Sequence, residues 1–205
     1  RNKPFDLNIG ETLRYKDLIG LFVKKNFALI YKQTILGPAW LIIQPLASSI
    51  IFTIVFAQAL GVPTDGVPQI LFYLCGTSLW AMFSGCLGGI SSTFMANAYL
   101  FAKVYFPRLT IPISQAISGL MKFGIQFLML IVVYLYFVFT GTSFHVDWHL
   151  LLIPVLLLET VLLAMGTGII ISSLTIKYRD LSLATGLIIQ IWMYGTPILY
   201  PLTMA

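Results

Sequence analysis

Long apolar stretches separated by short polar segments run through most of the sequence. Five of these stretches can be distinguished, covering residues 36–60, 67–95, 111–140, 150–174 and 183–199. A helix needs about 20 apolar residues to cross the hydrocarbon core of a bilayer. Because lipid offers the backbone no hydrogen-bond partner, each segment must pair its own amides and carbonyls, and the alternation typical of outer-membrane strands is absent. The pattern predicts an all-α integral membrane protein in which five transmembrane helices are present.

An amphipathic pattern precedes the first apolar stretch, within residues 11–32. Apolar residues recur there at three- and four-residue steps, as on one face of a helix: Ile19, Phe22, Val23, Phe27 and Ile30. We interpret this segment as a helix in the membrane interface, with its lysines near anionic headgroups. A helix packed on a partner protein is the alternative. We therefore divide the chain into an N-terminal segment, residues 1–35, and a transmembrane domain, residues 36–205.

The amino-acid composition also indicates a protein that is surrounded by lipid. Hydrophobic residues make up 59% of it and charged residues 9%, whereas a soluble domain is about a quarter charged. The two cysteines, Cys75 and Cys86, fall in one predicted helix. Eleven helical residues separate them by roughly 16 Å, which is too far for a disulfide.

The positions of the cations predict the orientation. Lysines and arginines precede the first span and occupy two of the connections, as Lys103 and Arg108 and as Lys177 and Arg179. Residues 61–66 and 141–149 contain none. Loop cations mark the cytoplasmic side, so we predict a cytoplasmic N-terminus. Five spans that start inside finish outside, and the chain stops just past the fifth; we expect a sixth span beyond the given C-terminus.

No motif for enzymatic chemistry is visible. The sequence contains neither a G-x-x-x-x-G-K-[ST] phosphate loop nor a zinc motif. His145, Asp147 and His149 form a polar cluster in a predicted outer loop. Since a metal site requires three or four ligands in fixed geometry, we favour an interfacial loop anchored by Trp148 and predict no metal.

Two charges lie within predicted spans, Lys122 in the third and Glu159 in the fourth. Intramembrane charges are costly and are functional candidates for that reason. We hypothesise that the two residues pair if they reach the same depth. Span two also carries small residues at helical spacing, including Gly85 and Gly89, which favours close helix packing over the smooth wall of a conduit.

Polar and aromatic residues share faces in the first and fifth spans. The candidates for lining a channel are Trp40, Gln44, Ser48, Gln190, Trp192 and Tyr194. Amides and aromatic rings suit a hydrated or sugar-filled path. Hydrogen bonding between helices explains the same pattern equally well.

Four segments occur in an order that resembles a known family. They are "YKQTILGPAWLIIQP" (31–45), "NAYLFAKVYFPR" (97–108), "KYRDL" (177–181) and "TPILYP" (196–201). Together they resemble the membrane subunit of ABC type-2 exporters of O-antigen and related cell-surface polysaccharides. The resemblance implies six spans, a dimer of this chain in the bacterial inner membrane, and two separate ATP-binding cassette subunits that carry ATP and Mg. It implies a lipid-linked polysaccharide as substrate, with membrane lipids around the chain.

The resemblance further implies that the connection between spans two and three docks on the ATPase. The residues concerned are Asn97, Lys103, Tyr105, Phe106 and Arg108. We therefore expect a transport subunit that is not an enzyme, binds no cofactor and has no nucleic-acid partner. The alternative cargo is teichoic acid or a small hydrophobic compound. A membrane-embedded glycosyl or acyl transferase would need charged groups clustered near one interface, and a passive channel would need no ATPase.

Overall fold

Helices and connecting turns account for the part of the chain that can be described. The computed structural model describes residues 9–32, 35–141, 151–178 and 180–201, and no strand occurs within these ranges. The helices are α1 (Ile9–Arg14), α2 (Lys16–Tyr31), α3 (Trp40–Phe52), α4 (Gln69–Ser91), α5 (Thr93–Ala96), α6 (Ala98–Lys103), α7 (Thr110–Phe139), α8 (Ile153–Lys177) and α9 (Leu181–Tyr194). A 3₁₀ turn, Gly37–Ala39, precedes α3, and a π-helix, Thr53–Ala59, continues it.

Four helical segments are long and apolar enough to cross a membrane. They are Gly37–Ala59, α4, α7 and α8. Their bounds confirm the first four predicted spans to within a few residues. The first begins at a glycine with a positive φ of 48°, a backbone conformation that suits glycine because it has no Cβ. Pro38 then occupies the first turn, where its missing N–H costs nothing.

The fifth predicted span is shorter than its apolar stretch. Helix α9 has 14 residues, or about 21 Å, against about 30 Å for a bilayer core. Gly195 and Pro197 follow it, and proline cannot continue a helix. The chain instead turns back onto α4, where a Cβ at Gly76 would lie 2.8 Å from Ile198. The predicted end at residue 199 was therefore wrong, because Leu199 is buried in this turn.

Helix α4 lies at the centre of the bundle, and half of its most apolar window is buried. It packs against α3, α7, α8 and α9. The main core contains residues of α4, α7 and α8: Met82, Phe83, Cys86, Leu87, Ile90, Ala116, Phe123, Val161 and Ala164. Both cysteines are free, as predicted. We call the end of the bundle that carries Lys24, Lys103, Arg108 and Lys177 the basic end.

Glycines set the spacing of α4 from its neighbours. A Cβ at Gly168 of α8 would lie 2.8 Å from Ile90, and one at Gly89 would lie 3.1 Å from Gln115 of α7. A Cβ at Gly119 of α7 would clash with Cys86 Sγ. Gly85, in contrast, is exposed and faces open space. The predicted packing role of small residues in span two therefore holds at Gly89 but not at Gly85 within this protomer.

The apolar stripe of α2 contacts protein rather than lipid. Ile19, Phe22 and Val23 are each less than a tenth exposed, because this face lies against α7. Asn26 Nδ2 donates a hydrogen bond of 3.1 Å to Ser118 Oγ of α7. The predicted amphipathic helix is therefore present, and the chain itself supplies the partner for this part of its apolar stripe.

A different face of α2 has the composition of a membrane interface. Leu21 and Leu29 are more than half exposed, and Lys25 and Lys32 are exposed on the same side. Leucines with lysines whose ammonium groups reach water are typical of a helix at the lipid boundary. Helix α2 thus has two distinct faces. One is apolar and packs on α7, and the other carries leucines and lysines and is exposed.

Proline within α3 leaves a carbonyl without its helical donor. Pro45 lacks the N–H that would bond to the carbonyl of Leu41 four residues earlier. Gln126 Nε2 of α7 donates to that carbonyl at 3.2 Å. In lipid such a group has no water to fall back on, so this bond compensates for the proline and joins the first and third spans.

We expect Gln126→Met to lower the free energy of unfolding by about 1 kcal/mol, which is within the range for interhelical hydrogen bonds in membranes. The effect is modest because Gln126 Oε1 is buried without a partner. In a Pro45→Ala background the loss should shrink, because residue 45 regains its N–H. Denaturant unfolding of the four variants in detergent measures this coupling, and the exposed Gln190 changed to Met is the control. Equal losses in both backgrounds would contradict the compensation.

Candidate functional site

The predicted coupling segment, residues 97–108, lies at the basic end and connects α5 to α7. Asn97 lies outside helical geometry, with φ −115° and ψ 17°. Its side-chain amide donates to the carbonyl of Thr93 at 2.9 Å, and its own carbonyl accepts from the amides of Leu100 and Phe101. Asn97 therefore joins α5 to α6 and helps to set the angle between them.

An aromatic row holds the segment to the rest of the chain. Phe106 is 7% exposed, and its ring lies 5.1 Å from that of Phe101 and 6.1 Å from that of Phe22 in α2. Phe101 in turn lies 5.8 Å from Phe94. With Ile111 at the start of α7, Phe22 and Phe106 form a second small core. The structure thus places Phe106 inside the chain and not on the surface where a docking residue would lie.

The other predicted coupling residues lie outside. Tyr105 is 80% exposed, and Lys103 and Arg108 are exposed as well. The Lys103 ammonium lies 4.2 Å above the ring centre of Tyr99, a cation–π contact. We call the exposed set Tyr99, Lys103, Val104 and Tyr105 the basic-end surface.

Sequence reasoning missed Tyr99 and Val104, which are both more than half exposed. Tyr99 and Lys103 are four residues apart in α6, and this spacing was the available signal. An exposed patch of aromatic and cationic residues resembles the anchors of protein interfaces in composition. The segment that carries this patch packs on α2 and on the start of α7.

The candidate channel residues lie on α3 and α9, which both pack on α4. Trp40, Gln44, Gln190 and Tyr194 are exposed, and Ser48 is partly buried. Trp192 is 40% exposed, with its ring 5.5 Å from that of Phe83, so it contributes to packing within the chain. Side-chain amides without a hydrogen-bond partner are costly to expose to lipid.

Lys122 and Glu159 lie at different depths. From the basic end, Lys122 is 12 residues into α7, about 18 Å, and Glu159 is 18 residues from the end of α8, about 27 Å. Among the described residues they form no ion pair. The hypothesised pairing is absent from this protomer, because α7 does not begin late enough to bring Lys122 level with Glu159.

The polar cluster of His145, Asp147 and His149 lies outside the described residues. Within the described ranges, no group of three or more His, Cys, Asp or Glu side chains is placed to hold a metal ion. The prediction for the outer cluster therefore stays a prediction.

The sequence is similar to a family of membrane transporters and to named members of it. The sequence matches the family described as ABC-2 type transporter over residues 17–204. It is 32% identical over 185 residues to "O-antigen export system permease protein RfbA" of Klebsiella pneumoniae, covering 90% of this chain and 69% of that protein. A protein of the same name from Myxococcus xanthus is 24% identical over 198 residues, covering 95% of this chain and 72% of the relative.

Proposed function

Because the chain belongs to the ABC-2 type transporter family, we propose that it is the membrane subunit of an ATP-driven exporter of lipid-linked O-antigen or a related polysaccharide. The observation that carries the proposal is the basic-end surface, which is exposed above a segment packed on both α2 and α7. The names of the relatives support the cargo, since both are called O-antigen export permeases.

ATP hydrolysis is assigned to two separate ATP-binding cassette subunits. The sequence carries no phosphate-binding loop, so ATP and Mg would be bound by those partners. We propose that they dock on the basic-end surface, where Tyr105 and the Tyr99–Lys103 pair supply aromatic and cationic anchors. Under this proposal the chain lies in the inner membrane with its basic end and its N-terminus facing the cytoplasm, which agrees with the positions of the loop cations.

The aromatic row gives the proposed coupling a physical route. Phe101 of α6 stacks on Phe106 with the ring centres 5.1 Å apart, so a displacement of α6 would also move Phe106. Phe106 packs on Phe22 of α2 and on Ile111 of α7, so both helices would be displaced with it. Close-packed groups move as a body rather than deforming continuously. We infer that nucleotide-driven motion of the partner moves α2 and the start of α7 together.

The proposed path for the polysaccharide lies where α3 and α9 are exposed. Gln44 and Gln190 offer amides to sugar hydroxyls, and Trp40 and Tyr194 offer flat rings. One protomer leaves these groups uncovered, so we propose that a second copy of the chain completes the path. This arrangement would spare the exposed amides from contact with lipid.

We expect the double variant Lys103→Glu, Tyr105→Ala to reduce co-purification of the ATPase subunit by about tenfold or more, since interface anchors contribute about 2 kcal/mol or more. The experiment is affinity purification of the two co-expressed subunits from membranes. Lys32→Glu is the matched control, because Lys32 is exposed at the end of α2 and carries the same charge. If the double variant retained the ATPase as well as the control does, the docking assignment would be wrong.

A further inference from the structure

A cleft of about 500 Å³ lies at the basic end, between the coupling segment and the end of α8. Its floor is apolar, formed by Phe94, Met95, Phe101 and Ile176. Met95 and Ile176 are more than a third exposed in the protomer, so this floor is accessible from outside. Exposed apolar surface favours an occupant that brings apolar groups of its own.

Two cations line the same cleft, Arg108 from the coupling segment and Lys177 from the last turn of α8. The Lys177 ammonium lies 5.2 Å from the ring centre of Tyr178. Asp180 is the nearest acid along the chain, yet in the described part of the protein neither cation forms an ion pair. The cleft therefore combines two uncompensated positive charges with an apolar floor.

The depth of the cleft relative to the membrane further restricts which molecules could bind there. Three of its lining residues lie at or near the ends of spans: Lys177 is the last residue of α8, Arg108 lies two residues before α7 begins, and Phe94 lies three residues after α4 ends. The ends of membrane-crossing helices lie at the depth of the lipid headgroups. A free phosphate would satisfy the two cations but would leave the floor in water, whereas a phospholipid would cover both.

We propose that this cleft binds an anionic membrane phospholipid, with its phosphate between Arg108 and Lys177 and the start of an acyl chain on the apolar floor. The bound lipid would join the coupling segment to the end of α8. This proposal concerns only the chain and its membrane, and it holds or fails without regard to the cargo of the exporter.

The test is lipid retention by the full chain, purified in detergent and titrated with phosphatidylglycerol or phosphatidylcholine, with bound lipid counted by native mass spectrometry. Lys177→Gln should weaken retention of phosphatidylglycerol by about fivefold, which corresponds to about 1 kcal/mol for one basic residue near an anionic surface. Ala98→Phe should weaken it without a change of charge, because Ala98 is exposed and lines the cleft. Lys24→Gln removes one exposed basic-end charge outside the cleft and is the control.

Preference for phosphatidylglycerol over phosphatidylcholine, lost in Lys177→Gln and Ala98→Phe but kept in Lys24→Gln, would support the proposal. Equal losses in Lys177→Gln and Lys24→Gln would overturn it in favour of diffuse surface charge. Displacement of the lipid by inorganic phosphate alone would overturn it in favour of a free-phosphate site. Displacement by the ATPase subunit, with Ala98→Phe unable to bind that subunit, would show a protein-docking cleft instead. Elution of each variant as the wild-type species in size-exclusion chromatography establishes that it is folded.

Discussion

Gly168→Val is expected to leave little folded protein in the membrane. A Cβ at Gly168 would lie 2.8 Å from Ile90 Cγ2 and 2.9 Å from Ile90 Cβ. Both atoms are close to the backbone of α4, and Ile90 is fully buried, so a change of rotamer cannot relieve the overlap. Helices α4 and α8 would have to separate, which overpacking data put at about 3 kcal/mol. Thermal unfolding followed by fluorescence-detected size-exclusion chromatography measures the loss.

Gly166→Val is the matched control for this experiment. Gly166 lies two residues earlier in the same helix, is exposed and has nothing near the position of a Cβ. It should unfold close to the wild-type temperature. Adding Ile90→Ala to Gly168→Val should recover part of the loss, because it removes the atoms that clash. Equal destabilisation by the two valines would show that α4 and α8 are not in the close contact described.

Phe106→Ala is expected to release α2 from the coupling segment. Truncating a buried phenylalanine costs about 3 to 5 kcal/mol, and Phe106 is the shared member of the contacts to Phe22 and Phe101. Local opening should become easier by a comparable amount, so amide hydrogen exchange in α2 and α6 should rise by about two to three orders of magnitude. Mass spectrometry of peptides from the exchanged protein reads this out by segment.

Tyr105→Ala separates this role from docking. Tyr105 is adjacent in sequence but 80% exposed, so its removal should leave exchange in α2 unchanged while weakening association with the ATPase. Phe106→Ala should have the opposite pattern of effects. It should raise exchange in α2 while the ATPase stays bound, so that motion of the ATPase no longer reaches α2. Unchanged exchange in Phe106→Ala would show that the aromatic row does not hold α2.

Much of the fold follows from local sequence. Four spans end within a few residues of their apolar stretches. A membrane-spanning helix leaves the lipid where apolar residues give way to polar ones, and the sequence shows that change directly. The fifth did not follow this rule. Apolar residues continue to Leu199, but Gly195 and Pro197 end the helix and Leu199 is buried against the chain instead. Hydrophobicity there reports burial in protein, which composition alone does not separate from burial in lipid.

The site was predictable in part for the same reason. Its location at a cation-bearing connection, with Lys103, Tyr105 and Arg108 on the surface, agrees with the sequence pattern. The burial of Phe106 was not visible, since Tyr105 and Phe106 are adjacent aromatics with nothing local to distinguish them. The two differ because Phe22, more than 80 positions away in the chain, packs on one and not on the other.

The sequence by itself determined that this protein is a bundle of membrane-spanning helices with cations concentrated at one end, where residues 97–108 form a connection. These properties depend on the solvent around each stretch and on charge, which are local. Only the tertiary structure decided that α2 rests on the coupling segment, that Gln126 bonds to the carbonyl freed by Pro45, and that Arg108 meets Lys177 across one cleft. Those contacts join residues about 70 to 90 positions apart, so local composition and periodicity do not encode them.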